Sequence, residues 1–421
     1  MTVPSTSPTP TPRFAALQHR NFNLLWAGLI VSNTGTWMQN VAQGWLVLQL
    51  TNSPLWLGLL GLSFAVPMIV LPLIGGAVVD RINRIKLLYI TQTGAMLTAL
   101  TLAILTWTGT VHISYILIAS FVGSTLLAFD NPARQALIPD LVPKRDLMSA
   151  ISLNSATYSG AALVGPAIAG ALLAPLGAGT LFFLNALSYL AVLIALTFMR
   201  NVQTHGSGRQ HASLGKSMLA GLSYALKNRL IAAMLGLSAL AAIFGRSYQN
   251  LLPIFARDIW SGGELGYGLL LSASGAGALI GAFGLAFIRS VRRQGAILIA
   301  SGLIFSLTVI LFAISPFFWS GVALIFIGGI AITIFGTIIS TFIQVAVPNE
   351  LRGRVMSLYA ITLIGLPSLG AMGTGSIAEL LGGISGAPRA VLIGGIIVGA
   401  VLILVAPLFW KRDVGSIKPS A

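Results

Sequence analysis

Apolar residues run along this chain in long blocks, separated by short polar stretches. Twelve blocks are predicted, at about 22–50, 55–80, 86–108, 113–138, 147–174, 179–199, 230–256, 264–288, 295–314, 317–346, 355–381 and 388–410, numbered here as segments 1 to 12. A helix of about 20 residues crosses a hydrocarbon core of about 30 Å, so each block is long enough to span a bilayer. The connection after segment 6, NVQTHGSGRQHASLGK, is the polar and flexible exception among short linkers. Behind it, SMLAGLSYALKN places Met218, Leu222, Ala225 and Leu226 at helical spacing, which predicts a short helix lying on the membrane surface.

That linker leaves six segments on either side. The expected organisation is a cytoplasmic tail (1–20), a six-helix bundle (21–200), a cytoplasmic linker with an amphipathic helix (201–228), a second six-helix bundle (229–411) and a cytoplasmic tail (412–421). The first twelve residues, MTVPSTSPTPTP, read as a disordered tail and not as a signal peptide. The halves repeat. GTWMQN from Gly35 matches GRSYQN from Gly245, Met148–Ser149 matches Met356–Ser357, and Val142–Pro143 matches Val347–Pro348. Each match lays one segment on the segment six further along. The fold class is therefore an all-α membrane protein, twelve transmembrane helices in two pseudo-symmetric halves. Such repeats place a binding site near the midplane, at their interface.

Composition agrees: 56% of residues are hydrophobic and 8% charged, against about 25% charged in soluble domains. Cysteine is absent, which excludes disulfides and thiolate chemistry. A net charge of +15 raises the question of nucleic acid. Placement answers it. All but four of the 24 Lys and Arg lie in the tails and the even-to-odd linkers. Excess Lys and Arg stay cytoplasmic, so both termini are expected there and no nucleic-acid partner is. The four His occupy tails or linkers, and the nine acidic residues lie mostly at helix ends. No metal-ligand spacing, nucleophile constellation or nucleotide loop is present. Neither an enzyme nor a cofactor is expected, and energy must come from a gradient or a partner.

Polar side chains inside the blocks fall on particular faces. Segment 1 carries Asn33, Thr36, Asn40 and Gln43 on one helical face. Segment 7 carries Arg246, Gln249 and Asn250, and segment 10 carries Thr333, Thr337, Ser340, Thr341 and Gln344. Segment 4 ends in Asp130 and Arg134. Segments 1, 4, 7 and 10 are the same helix of successive three-helix blocks, so a shared wet cavity is one reading. The other is hydrogen bonding between helices, at about 0.6 kcal/mol per contact. In segment 8, Gly277, Gly281 and Gly284 form a stripe that admits a close, sliding neighbour.

Two charges stand out. Asp130 and Arg134 share a face at i, i+4, with Pro132 between them. By helical rise Asp130 lies about 12 Å from the cytoplasmic end of its helix. It is the proton-coupling candidate, and a permanent structural ion pair is the alternative. Arg246 lies about 25 Å from the cytoplasmic end of segment 7, too far in depth for Asp130 to compensate it. A mid-helix Arg costs about 2.5–3.5 kcal/mol on insertion scales. Either it faces the cavity and meets carboxylate, phenolate or catecholate oxygens of a substrate, or it reaches outward to Asp258 or to lipid headgroups.

Several motifs resemble the major facilitator superfamily. GGAVVDRINRIK is similar to its signature through Gly76, Asp80, Arg81 and Arg84, with Asn83 where a glycine is usual. The resemblance implies a latch at the cytoplasmic ends of the halves, Asp80 facing the start of segment 11, LRGRVMS. GAALVGPAIAG in segment 5 resembles the superfamily's antiporter element, with Gly160, Gly165, Pro166 and Gly170 in place and Ala169 for one usual glycine. That element implies an exporter, with Gly165 and Pro166 as gating residues. FDNPARQALIPDLVP, with HRNFNLLWAG, GTWMQNVAQGWLVLQLTNSP, LFFLNALSYL and VPNELRGRVMSLY, resembles the branch that holds enterobactin and macrolide exporters, over about Arg13 to Trp410.

The resemblance implies an inner-membrane exporter of a siderophore-like amphipathic molecule, working by alternating access as a proton antiporter. A multidrug or macrolide pump of the same fold is the alternative, and a sensor or scaffold that keeps the fold without transport is a third. The expected partners are the small-molecule substrate and the lipid bilayer. The chain is expected to act as a monomer, with coupling to an outer-membrane efflux component as a further option.

Overall fold

A computed structural model of the chain describes residues 14–71, 82–200, 214–287 and 293–409. The predicted blocks fall on helices. Segments 1 to 4 are Arg20–Thr51, Pro54–Val70, Arg84–Trp107 and Ile113–Leu141. Segments 5 and 6 are the arms of Leu147–Phe198, which turns at Gly177, where φ is 74° and a residue without Cβ is favoured. Segments 8, 9, 10 and 12 are Gly263–Phe287, Gln294–Ile314, Phe318–Ala346 and Ala387–Phe409. Among the described residues nine helices are long and apolar enough to cross a membrane, the double-armed one included, and Pro54–Val70 is a shorter apolar helix. This fits the expected fold.

Segments 7 and 11 are broken. Segment 7 is α-helical over Arg229–Leu240, widens to a π turn over Ala241–Gly245, then tightens to 3-10 over Arg246–Leu251. Pro253 has no N–H to offer the Gln249 carbonyl, which instead accepts from Leu252 N, one residue earlier. Segment 11 begins earlier than its apolar block, at Asn349 directly after Pro348. It is interrupted at Gly365, between Asn349–Ile364 and Leu366–Leu380. Pro367 sits in the first turn of the second piece, where a missing donor is tolerated.

The packing distinguishes the two ends of the molecule. At the end bearing Ala16 and Phe409, each half keeps its own core. Phe22, Leu25, Leu88, Leu137 and Val192 cluster in the first half. Ile231, Met234, Phe335, Phe342 and Tyr359 cluster in the second. At the opposite, distal face one cluster joins both halves, drawing Trp45, Leu57 and Phe182 together with Phe255, Tyr267 and Phe312. The described hydrogen bonds that cross between halves, at Leu48, Asn52, Ser53, Leu55 and Leu163, all lie between the midplane and the distal face. The surface helix predicted after the linker is Leu214–Lys227. It buries Ala225 in the second half's core and exposes Leu222 and Leu226.

Candidate functional site

A cavity of about 370 Å³ lies inside the second half. Arg246, Tyr248 and Gln249 of segment 7 line one wall, with Ser274 and Ala278 of segment 8 beside them. Thr333, Gly336, Thr337 and Ser340 come from segment 10, and Tyr359 and Leu363 from segment 11. The broken backbone of segment 7 turns these three polar positions, within four residues of one another, toward the opening. Gly245 lets Phe305 pack against that turn, since a Cβ there would meet the Phe305 ring at 2.5 Å. Gln249 donates to Ser274 Oγ at 3.1 Å, and Tyr359 donates to the Gly336 carbonyl at 2.7 Å.

Arg246 is half-buried and forms no ion pair with a described carboxylate. Asp258, which it was expected to reach in one reading, is instead held by Arg257 Nε at 3.0 Å. Among the described ionisable groups, the phenols of Tyr248, Tyr158 and Tyr359 interact electrostatically with its guanidinium. A cation ringed by hydroxyl and aromatic groups can receive one anionic group and orient it through the guanidinium fork.

The first half holds its charge differently. Asp130 is only 3% exposed. It pairs with Arg134 Nε at 2.6 Å and accepts from Thr91 Oγ1 at 2.9 Å and Gln92 Nε2 at 2.8 Å. Arg134 also donates to Asn131 Oδ1 at 2.7 Å. Asp130 therefore faces segment 3 within its own bundle, and Arg246 does not join it.

The structure brings Arg246, Gln249 and Thr337 together in the cavity. Thr333 and Ser340, also read from segment 10, line it with them, whereas Asn33, Thr36, Asn40, Gln43, Asn250 and Thr341 lie outside its lining. Thr36 donates to Ser32 O and meets Tyr189 Oη at 3.3 Å, so it turns toward segment 6. Gln43 is buried, with Nε2 lacking a partner among the described residues. Asn33 is half-buried and Asn40 exposed. Asn250 points toward Gly61 of segment 2, and Thr341 donates back to Thr337 O. Thr36 thus takes part in a network with Gln39, Asn185 and Tyr189, whose signal in the sequence was Asn185 and Tyr189 within LFFLNALSYL. The cavity's Tyr248 and Tyr359 were also missed, because a tyrosine in an apolar block reads as packing.

Of the signature residues, Gly76, Asp80 and Arg81 lie outside the described residues. Arg84 pairs with Asp140 and donates to Ala136 O at 3.0 Å, tying segment 3 to the end of segment 4. Asn83, the departure from the usual glycine, caps segment 3 by accepting from Ile85 N and Lys86 N. In segment 5, a Cβ on Gly165 would lie 2.6 Å from Trp37 Cβ, so this glycine permits close approach to segment 1. The Pro166 carbonyl abuts Gly268 of segment 8, across the halves.

Known proteins resemble this chain in sequence and in fold. The sequence model of the transmembrane secretion effector family matches residues 11–414. The staphyloferrin A transporter of Staphylococcus aureus is 29% identical over 248 residues, 58% of this chain and 62% of the relative. The enterobactin exporter EntS of Shigella boydii is 27% identical over 270 residues, 64% of each chain. The chain therefore aligns with less than two thirds of the length of these relatives. The solved nucleoside transporter NupG superposes with a TM-score of 0.77 at 16% identity, covering 93% of this chain and 100% of that one.

Proposed function

Since the chain belongs to the transmembrane secretion effector family of the major facilitator superfamily, and so is a multi-pass membrane transporter and not an enzyme, we propose that it exports an anionic, siderophore-like small molecule. The observation that carries this reading is Arg246, which has no ion-pair partner among the described residues, in a cavity with no described carboxylate on its wall. An anionic group on the substrate supplies the missing partner, whereas a cationic drug is repelled. The apolar surfaces of Phe305, Ile332 and Leu363 suit the rest of an amphipathic molecule. In this reading the chain lies in the inner membrane with its termini in the cytoplasm. The halves rock about the midplane, and the proton gradient drives export through Asp130. The names of the two relatives support the substrate class, and the proline-glycine element of segment 5 supports the direction.

The test compares metabolites inside cells and in the medium, with and without the gene, under iron limitation. An anionic chelator retained inside the deletion strain is the expected result. Altered accumulation of cationic or neutral drugs alone replaces this reading with a multidrug pump.

A further inference from the structure

The distal face carries a set of contacts that no sequence motif announced. The connection between segments 1 and 2, residues 48–55, is gripped from two sides by the second half. On one side, Arg257 Nη2 donates to Asn52 Oδ1 at 2.7 Å and Nη1 to Leu48 O at 3.3 Å. Its Nε is fixed by both carboxylate oxygens of Asp258, at 3.0 and 3.1 Å, so the fork is aimed before it reaches across. Asn52 ends segment 1 in a left-handed conformation, φ 47°, which sets the direction of its side chain.

On the other side, Glu379 in the last turn of segment 11 accepts from Ser53 Oγ at 2.7 Å and from Leu55 N at 3.4 Å. Ser53 is the N-cap of segment 2, yet it makes no capping bond of its own. Glu379 supplies from the opposite half the acceptor that a helix start normally finds beside it. Beneath these polar contacts the interface is close and apolar. Tyr267 stacks on Trp45 with ring centroids 6.2 Å apart, and Gly170 meets Gly268 backbone to backbone.

We propose that Arg257 and Glu379 are the latch of the distal gate. They hold the first connection of one half against the ends of segments 7 and 11 of the other. The gate opens when both grips release together, exposing the Trp45–Tyr267 layer and then the midplane. This assignment rests on the rocking movement proposed above but on neither the substrate nor the direction of transport.

The chain lacks cysteine, so single introduced cysteines report accessibility cleanly. Ser272→Cys sits behind the gate, where the native hydroxyl donates to Leu163 O at 2.8 Å. Ser340→Cys sits in the cavity wall. Each is labelled in membrane vesicles of known orientation with a membrane-impermeant maleimide. Glu379→Ala and Arg257→Ala are each expected to raise labelling of Ser272→Cys from the distal side about fivefold, as the loss of charge-assisted bonds shifts the population. Labelling of Ser340→Cys from the opposite side falls. Glu379→Gln, which keeps an acceptor for Ser53, restores most of the closed behaviour. Unchanged labelling of both reporters overturns the latch, and so does a rise in both, which is loosening of the fold and not gating. If the reporters move oppositely under an imposed proton gradient but not in the variants, the latch alone fails. If they never move oppositely, the rocking movement fails with it.

Discussion

The two halves each bury an arginine within their apolar helices and treat it in opposite ways. Arg134 is a closed account of charge: Asp130 faces it at 2.6 Å, and Thr91 and Gln92 occupy a further oxygen of the same carboxylate. Arg246 has phenols around it and no described carboxylate partner. A buried charge with every partner in place maintains a structure. One that lacks its partner is destabilising when empty, and is retained where something else completes it. Under the proposed function, the substrate contact belongs to the second half and the candidate proton site to the first, at separate places.

The largest expected effect breaks that comparison directly. Arg134→Met strands the Asp130 carboxylate, and removal of one member of a buried pair costs about 3–5 kcal/mol. Arg246→Met removes a lone cation and lets apolar atoms fill its place. The thermal unfolding midpoint of purified protein in detergent should therefore fall steeply for Arg134→Met and stay level or rise for Arg246→Met. Equal losses would mean that Arg246 has an internal partner after all.

Transport should show the reverse order. A hydrogen bond to a charged group contributes about 1.5–3 kcal/mol, so Arg246→Gln should weaken export of an anionic substrate by ~10- to 150-fold. Reconstituted vesicles measure this. In the same vesicles, Asp130→Asn should leave downhill flux intact while abolishing accumulation driven by a proton gradient. Accumulation that survives the substitution removes Asp130 from the coupling step.

Much of the fold was legible because bilayer burial writes itself into long apolar blocks, and the boundaries of segments 3, 4, 9 and 10 follow those blocks closely. Segment 11 was read too short, since Asn349 to Arg354 is polar and helical at once. The site was legible only where the cost of burial is high. Arg246 is conspicuous in an apolar helix, and it does line the cavity. Thr36 and Asn250 share a stripe with their neighbours, yet the stripe cannot say which helix stands opposite. Thr36 turns to segment 6 and Asn250 to segment 2. The π and 3-10 turns that aim Arg246 depend on tertiary packing around Gly245 and Pro253, which no periodicity records. Glu379 and Arg257 looked like ordinary helix-end charges, because their partners lie more than 200 residues away in the chain.

The halves also differ in how they meet, and glycine is the means. Gly268 accepts the Pro166 carbonyl and Gly170 against it with no room for a side chain. Gly268→Val should oppose distal closure by about 1–3 kcal/mol, the usual scale of overpacking. Its expected signature is raised distal labelling of a cysteine in the cavity wall, with stability little changed. An unaltered labelling ratio would show that segments 5 and 8 do not bear on the gate.

The smallest effect sharpens the cavity itself. Tyr359 donates to Gly336 O and so ties segment 11 to segment 10 across the site. The same carbonyl keeps its helical partner four residues on, so the bond is additional and its loss leaves nothing unsatisfied. Tyr359→Phe should therefore cost only about 0.5–1.5 kcal/mol of stability. The informative readout is the division between the half-saturating substrate concentration and the maximal rate. If the phenol only braces two helices, the maximal rate shifts and the half-saturating concentration holds. If the hydroxyl also meets the anion beside Arg246, the half-saturating concentration rises several-fold, and the effect disappears when Arg246→Gln is already present, because both side chains then act on one bound group.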